Sequence, residues 1–504
     1  MKLDTDICYQ ALLAHDVRFD GVFYVGVATT GIYCRTVCPA KTPKQENCTF
    51  YPSAAAAERA GYRPCLRCRP ELAPGNARID SAGRLAAAAA NRIEDGELTE
   101  KSMAELAADI GITDRHLRRV IRDEFGVSPI ELAQTQRLLL AKRLLTDTNL
   151  PITEVAFAAG FSSLRRFNAQ FKERYRLNPT NLRKGRGKRE KGKDESHVDS
   201  IIEGTGSASE HSHFSLFPLP SSLVCDLAYR PPLAWDHLIR FLVGRASCGV
   251  EAMEGERYLR TVRSGKHRGW ITVAPAPGRN ALRVELSAAL APALLPVLAR
   301  VKRLFDLAAE PQQIAERLGP LAEPRPGLRV PGAYDGFEMA VRAILGQQIT
   351  VKAATTLAGR FSAAFGEPII TPYAQLTHLS PAAERVASAD VTEIIALGII
   401  TARANSIQAL ARAVAEGRVS LEPGVAVETT MSRLQELPGI GEWTAQYIAM
   451  RALGWPDAFP HTDLGIYKAL GETKPKRILE IAEGWRPWRS YAAMHLWKSL
   501  ETNE

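Results

Sequence analysis

The chain has 504 residues, 46% of them hydrophobic and 24% charged. That is the balance of a globular protein too long for a single core, and about 100–200 residues per domain predicts three or more domains. No run of eighteen apolar residues occurs and Met1-Lys2-Leu3-Asp4 leads into no apolar signal core, so a cytoplasmic protein with no membrane partner is expected. The formal net charge of +9 is uneven: residues 1–200 carry 32 Lys and Arg against 25 Asp and Glu, and the remainder 32 against 30. A basic excess concentrated in one part fits either nucleic acid as partner or a solubilising surface.

Residues 1–78 hold six of the eight cysteines. Cys34-x3-Cys38 is followed, after 26 intervening residues, by Cys65-x2-Cys68. Two close pairs across a modest loop suit tetrahedral zinc, because each pair supplies two thiolates from one tight turn. Pro39, Pro64 and Pro70 stiffen those turns. A purely structural four-cysteine knuckle is the plain alternative for its purpose. Cys8 and Cys48 lie outside the pattern and read as ordinary small side chains. The stretches Thr29–Cys38, Glu46–Tyr51 and Gly61–Cys68 closely resemble the N-terminal zinc domain of Ada-type adaptive-response proteins. The resemblance implies one Zn²⁺ held by Cys34, Cys38, Cys65 and Cys68, with Cys34 accepting a methyl group from a DNA methylphosphotriester. The chemistry is coherent, since zinc keeps a thiol deprotonated near neutral pH and the thiolate is the nucleophile. Four thiolates leave the site doubly negative. Methylating one halves that charge, so phosphate binding strengthens and damage is recorded as DNA affinity.

Residues 80–183 are predicted to be all-helical. Ser102–Ala107 opens an amphipathic helix, Gly111-Ile112 turns, and Thr113–Arg119 starts a second. The pattern recurs at Ile152–Ser163 followed by Leu164–Lys172. A helix–turn–helix needs a small residue at the turn and basic residues on the second helix's open face, and one copy alone reads equally as a plain helical hairpin. Two copies, with the Gly160-Phe161 turn and the Asn178-Pro179 exit, resemble the AraC-type DNA-binding domain. The base-reading candidates are then Arg115, His116, Arg118, Arg165 and Arg166, and RNA polymerase becomes a partner during activation. The Pro-Cys-His-Arg site of the methylguanine transferase common in Ada proteins is absent.

Residues 184–213, opening on a Lys/Arg/Gly run, carry no periodicity and read as a basic flexible linker. In 214–325, runs such as Tyr258–Val262 and Trp270–Val273 predict strands of an antiparallel-sheet domain. Residues 326–504 are helical in pattern. There Leu437-Pro438-Gly439-Ile440-Gly441 predicts a hairpin between helices, Gly439 and Gly441 allowing the tight turn and amides facing a DNA phosphate. Asp463 follows twenty residues after Trp443. Hairpin and aspartate together are the signature of the helix–hairpin–helix glycosylase superfamily. Ala343–Gln348, Trp443–Tyr447 and Pro487–Trp497 resemble the AlkA type, 3-methyladenine DNA glycosylase II.

By that resemblance Asp463 is catalytic, Trp443, Tyr447 and Trp497 line the base pocket, and Gln348 stands where the family wedges a side chain into the gap left by a flipped nucleotide. A Leu is found there in the best-known member, so the polar Gln departs from the pattern. Electron-rich rings attract a cationic alkylated base, and a carboxylate stabilises the oxocarbenium-like sugar as the glycosidic bond breaks. Bifunctional members place a Schiff-base lysine where this chain has Trp443, which implies a monofunctional enzyme needing no cofactor for the glycosylase step. The plain alternatives are core aromatics, and a helix N-cap for Asp463. His461 reads as structural. The expectation is a multidomain α+β protein: a small α+β zinc domain, a double helix–turn–helix domain, an antiparallel-sheet domain and an all-helical glycosylase core. It would be a monomer on double-stranded DNA, repairing 3-methyladenine and 7-methylguanine and regulating promoters. The rival reading is a regulator whose C-terminal half binds damage without turnover.

Overall fold

The structure is a computed structural model that describes residues 3–73, 83–99, 101–148, 150–183, 222–423 and 426–501. The expected linker, 184–213, lies outside the described residues. No helix among those described is long and apolar enough to cross a membrane.

The first unit is a small α+β domain. Strands β1 (Tyr24–Val27), β2 (Ile32–Cys34), β3 (Cys48–Tyr51) and β4 (Arg63–Pro64) form one sheet in the order β3-β1-β2-β4. Helix Thr5–Leu13 packs Cys8, Ala11 and Leu12 against Phe23, Val25 and Val27. Pairing of β2 with β4 is parallel, Ile32 facing Arg63 and Tyr33 facing Pro64. That register sets the next residues of each strand, Cys34 and Cys65, side by side.

Both helix–turn–helix units form, and local chemistry fixes their ends. Ser102 and Glu105 make a reciprocal capping box on Met103–Ile110. Gly111, at φ +83°, terminates it in a left-handed conformation that favours glycine. Thr113 then caps Asp114–Phe125, and Ser163 caps Leu164–Tyr175. The long helix Pro129–Asp147 joins the two units, burying Leu138, Leu144 and Leu145.

The second sheet holds β5 (Ser222–Ala228), β6 (Glu251–Glu254), β7 (Arg257–Ser264), β8 (His267–Pro275) and β9 (Ala281–Ser287), in the order β5-β9-β8-β7-β6 and antiparallel throughout. Both strands expected from sequence fall in it. Its inward face shares one hydrophobic cluster with the second helix–turn–helix unit, from Leu138 to Tyr175 on one side and Leu223 to Leu307 on the other. Polar contacts reinforce that docking: Arg143 donates to the Asp226 carbonyl, Arg303 pairs with Asp95, and Arg230 donates to the Asp20 carbonyl of the first domain. Beyond Gly332 the chain is mainly helical, apart from an irregular segment, 366–382, that carries isolated β-bridges. Helix Gly336–Leu345 is the centre of a separate core with Ile407, Leu410, Ile448 and Ala449.

Candidate active site and zinc-thiolate centre

The hairpin joins helices Val427–Gln435 and Glu442–Arg451. Gly439 has φ +75°, and a Cβ there would lie 2.1 Å from Ser406 Oγ, so both conformation and space demand glycine. Gly441 differs from expectation. Its φ of −87° and ψ of −179° suit any residue, and nothing lies within 4 Å of a Cβ built on it. It is the N-cap of the following helix and offers no side-chain cap to it.

On that helix Trp443, Tyr447 and Arg451 recur every fourth residue and so share one face. Trp443 and Tyr447 stack with ring centroids 5.3 Å apart and planes 6° from parallel, and Trp497 tilts against Tyr447 at 6.1 Å. These rings and Asp463 line a cavity of about 400 Å³. Asp463 is the N-cap of Leu464–Leu470, its Oδ1 accepting from the amides of Gly465 (2.8 Å) and Ile466 (3.1 Å). The plain N-cap reading is therefore true as well. The same Oδ1 accepts from Trp497 Nε1 at 2.8 Å, while Oδ2 accepts from Trp443 Nε1 at 2.9 Å. Gly465 permits this closeness, because a Cβ there would sit 2.9 Å from Asp463 Oδ1 and 3.0 Å from the Trp497 ring. His461 is buried, with Glu442 3.9 Å away, and does not line the cavity.

Sequence reasoning missed three guanidiniums in the same cavity, those of Arg245, Arg342 and Arg451. Arg342 is neutralised by Glu251 at 2.7 Å and Glu338 at 3.1 Å. Arg245 stacks over Phe241 at 3.8 Å from the centroid. Arg451 lies between Phe241 and Tyr447 and donates to the Pro331 carbonyl and, at 2.8 Å, to the Tyr447 hydroxyl. Burial works to raise the Tyr447 phenol, but Arg451, Arg245 and Arg342 outweigh it and pull the phenol below its usual value. The cavity is thus polarised, with a carboxylate at the indole N–H edges and a guanidinium at the phenol hydroxyl. Arg451 was legible, since it continues the four-residue spacing of Trp443 and Tyr447. Arg245 and Arg342 arrive from other segments and leave no local signal.

A five-residue connection, 346–350, joins helix Gly336–Leu345 to helix Val351–Phe365 at the cavity's edge, with Gly346 and Ile349 among its lining. Gln347 Nε2 donates to the Gly439 carbonyl and to Thr444 Oγ1, both at 2.9 Å, and its carbonyl accepts from Arg403. Gln348 is exposed and adopts φ +53°, a left-handed conformation costing a non-glycine residue on the order of 1–3 kcal/mol.

In the first domain the sulfurs of Cys34, Cys38, Cys65 and Cys68 lie within 4.8 Å of one another. Tetrahedral zinc with Zn–S near 2.3 Å sets sulfurs about 3.8 Å apart, so the donor set fits that ion. The shared hydrogen bonds push the Cys34 thiol up and hold the Cys65 thiol down, as expected where four thiols crowd together and a cation is needed for all to ionise. Backbone amides support the cluster: Arg35 N–H donates to Cys68 Sγ at 3.4 Å and Arg67 N–H to Cys65 Sγ at 3.3 Å. Cys34 is half-buried while the other three are buried. It opens on a cavity of about 330 Å³ edged by Lys41, Arg63 and Arg67.

The helix–turn–helix candidates lie on the two second helices. Arg115, Arg165 and Arg166 are exposed, and His116 is half-buried. Arg118 is held by Asp114 at 2.9 Å, one turn back on the same helix.

Comparison with known proteins covers nearly the whole chain. Residues 7–71 match the metal binding domain of Ada, 106–185 a helix-turn-helix domain, 224–335 the AlkA N-terminal domain, and 341–480 the HhH-GPD superfamily base excision DNA repair protein. A probable bifunctional transcriptional activator/DNA repair enzyme AlkA of Mycobacterium tuberculosis is 38% identical over 99% of this chain and 97% of its own length. DNA-3-methyladenine glycosylase 2 of Escherichia coli is 39% identical over 54% of this chain and 95% of its own. The bifunctional transcriptional activator/DNA repair enzyme AdaA of Bacillus subtilis is 31% identical over 36% of this chain and 84% of its own.

Proposed function

The chain belongs to the family of bifunctional transcriptional activator/DNA repair enzymes that join an Ada-type metal-binding half to an AlkA-type glycosylase, and from that premise we propose which residues carry each activity. It is a DNA-3-methyladenine glycosylase II with a single-use methyl-transfer activity, and its four-cysteine site is one that would hold a single zinc ion.

For the glycosylase, the observation that carries the assignment is that the carboxylate of Asp463 faces an aromatic cavity with an indole N–H on each oxygen. A flipped 3-methyladenine or 7-methylguanine is cationic and enters among Trp443, Tyr447 and Trp497, each cation–π contact contributing about 0.5–2 kcal/mol. As the C1′–N bond breaks, the base departs with the bonding electrons as a neutral purine. Positive charge grows on the sugar and is stabilised by Asp463. Water then adds at C1′ and releases a proton. Trp443 occupies the position of a Schiff-base lysine, so the product is an abasic site. Gln348 is the wedge in the duplex, and amides around Gly439 and Gly441 hold a phosphate of the backbone.

In the zinc half, bound Zn²⁺ supplies the stabilised thiolate. The Cys34 sulfur attacks the methyl carbon of a methylphosphotriester; the S–C bond forms, the C–O bond breaks, and the phosphodiester leaves as an anion. Lys41, Arg63 and Arg67 are placed to hold that phosphate. Cys38, Cys65 and Cys68 complete the site. Arg115, His116, Arg118, Arg165 and Arg166 contact promoter DNA, with RNA polymerase as the further partner. We place the protein in the cytoplasm, acting as a monomer on double-stranded DNA.

The test is release of 3-methyladenine and 7-methylguanine from methylated duplex DNA by the purified chain and by Asp463→Asn. Release that collapses in the variant supports the assignment. Tight binding without release by the unaltered protein would instead make the C-terminal half a damage-binding regulator.

A further inference from the structure

We propose that Gln348 reads the base left opposite the lesion, making it a specificity-determining residue for repair. The inference rests on the reading of Gln348 as the wedge and concerns what a polar wedge does there. Extruding a nucleotide strands the hydrogen-bonding edge of its partner base inside the stack. An apolar side chain fills the gap but leaves that edge unpaired, which costs free energy. A carboxamide presents both an acceptor and two donors and pairs with such an edge.

Three features of the structure suit Gln348 to this task. It is exposed at the middle of the five-residue connection, 346–350, whose residues Gly346 and Ile349 line the base cavity. Its backbone is held at φ +53°. A strained non-glycine residue persists only where its surroundings over-determine it, and such residues concentrate at functional sites. Those surroundings are visible: Gln347 is tied through its amide to Gly439 and Thr444 of the hairpin and through its carbonyl to Arg403. The anchor of the Gln348 side chain is therefore fixed relative to the hairpin that holds the DNA.

A side chain of fixed origin discriminates by distance. The gap left by a flipped purine faces a pyrimidine, whose edge lies deeper than a purine's. A long carboxamide reaches it, whereas an opposite purine crowds the same space. Gln348 thus favours thymine or cytosine opposite the vacated position.

The experiment uses the full-length protein and short duplexes carrying a tetrahydrofuran abasic analogue opposite each of the four bases. Each Kd is expressed relative to an intact duplex of the same sequence, which removes binding by the other DNA-binding parts. The expected result is a preference of about fivefold or more for opposite pyrimidines. In Gln348→Leu, which keeps bulk and loses the amide, this spread falls below about twofold while the preference for the abasic duplex persists. Gln348→Ala weakens binding to all four. A flat profile in the unaltered protein, or an undiminished spread in Gln348→Leu, overturns the proposal. Full affinity in Gln348→Ala overturns it together with the wedge reading. Loss of any preference for the abasic duplex in the unaltered protein would remove the glycosylase-site reading beneath both.

Discussion

The two indole N–H groups on Asp463 are not equivalent, and that asymmetry predicts a ranking. Oδ1 accepts from Trp497 and from two backbone amides, whereas Oδ2 accepts from Trp443. Trp443→Phe keeps a stacking ring against Tyr447 but strips Oδ2 of the one donor the structure gives it. Trp497→Phe leaves Oδ1 with two. A hydrogen bond to a charged group contributes about 1.5–3 kcal/mol. If most of that holds the carboxylate in its reactive orientation, Trp443→Phe slows the chemical step about tenfold to a hundredfold. Trp497→Phe, with Oδ1 still anchored, slows it less than about fivefold. The assay is single-turnover release of 7-methylguanine under saturating enzyme, with thermal denaturation as the control for folding. Both rings are half-buried, so neither change should lower Tm by more than a few degrees. A larger loss in Trp497→Phe than in Trp443→Phe, or no loss in either, would refute the argument that these donors orient the carboxylate.

Other expectations follow from the same geometry. Gly439→Ala should lower Tm and weaken binding to abasic duplex at least tenfold, because its Cβ meets Ser406 Oγ at 2.1 Å and its φ is +75°; Gly441→Ala, free of both problems, should leave Tm unchanged. Glu58 is buried between the zinc domain and helix Pro129–Asp147, accepting from Tyr33 and Thr135, and burial pushes its carboxyl up to about 7. A folded value above the unfolded value near 4.3 means its contribution is whole below that pH and drains away as pH rises through 7, by on the order of 3–4 kcal/mol. Thermal scans from pH 5 to 8 should show that slope reduced in Glu58→Gln, and an identical slope would count against it. Chelation should remove one zinc per chain, measured by atomic absorption, and expose residues 3–73 to limited proteolysis while base release persists. The reason is that Cys38, Cys65 and Cys68 form their own small buried cluster, separate from the glycosylase core.

What the sequence made legible was chemistry carried by close spacing. The cysteine pairs, the helix starts at Ser102, Thr113 and Leu164, and the hairpin glycine Gly439 all depend on their own neighbourhoods, so residue type and spacing announced them. Gly441 shows the limit of that reasoning. A second glycine in the same hairpin looked like a second conformational need, yet its backbone is extended and a Cβ there would meet nothing. The pocket was half legible for a related reason. Trp443, Tyr447 and Arg451 share a helical face and could be read together, but Arg245 and Arg342 reach the cavity from distant segments, and Arg342 is held by Glu251 on β6. The docking of the two halves was invisible: Arg230 on Asp20, Arg143 on Asp226 and Arg303 on Asp95 are single contacts between segments far apart in the chain.

Asp463 also shows that the structural and functional readings of one residue need not compete. In the role proposed for it, stabilising positive charge on a sugar, the carboxylate must be aimed without being neutralised beforehand. Elsewhere in this half, buried acids are aimed by cations: Glu251 and Glu338 by Arg260 and Arg342, Asp457 by Arg486 and Arg489. Among the described residues Asp463 has no ion pair. It is oriented by four neutral N–H groups, two from the start of a helix it caps and two from indoles that also line the base cavity. Neutral donors fix geometry while leaving the full negative charge available when the sugar becomes cationic, and their dipoles need no reorganisation at that moment. An arginine in place of either indole would hold the carboxylate as firmly and cancel the charge that the proposed role requires.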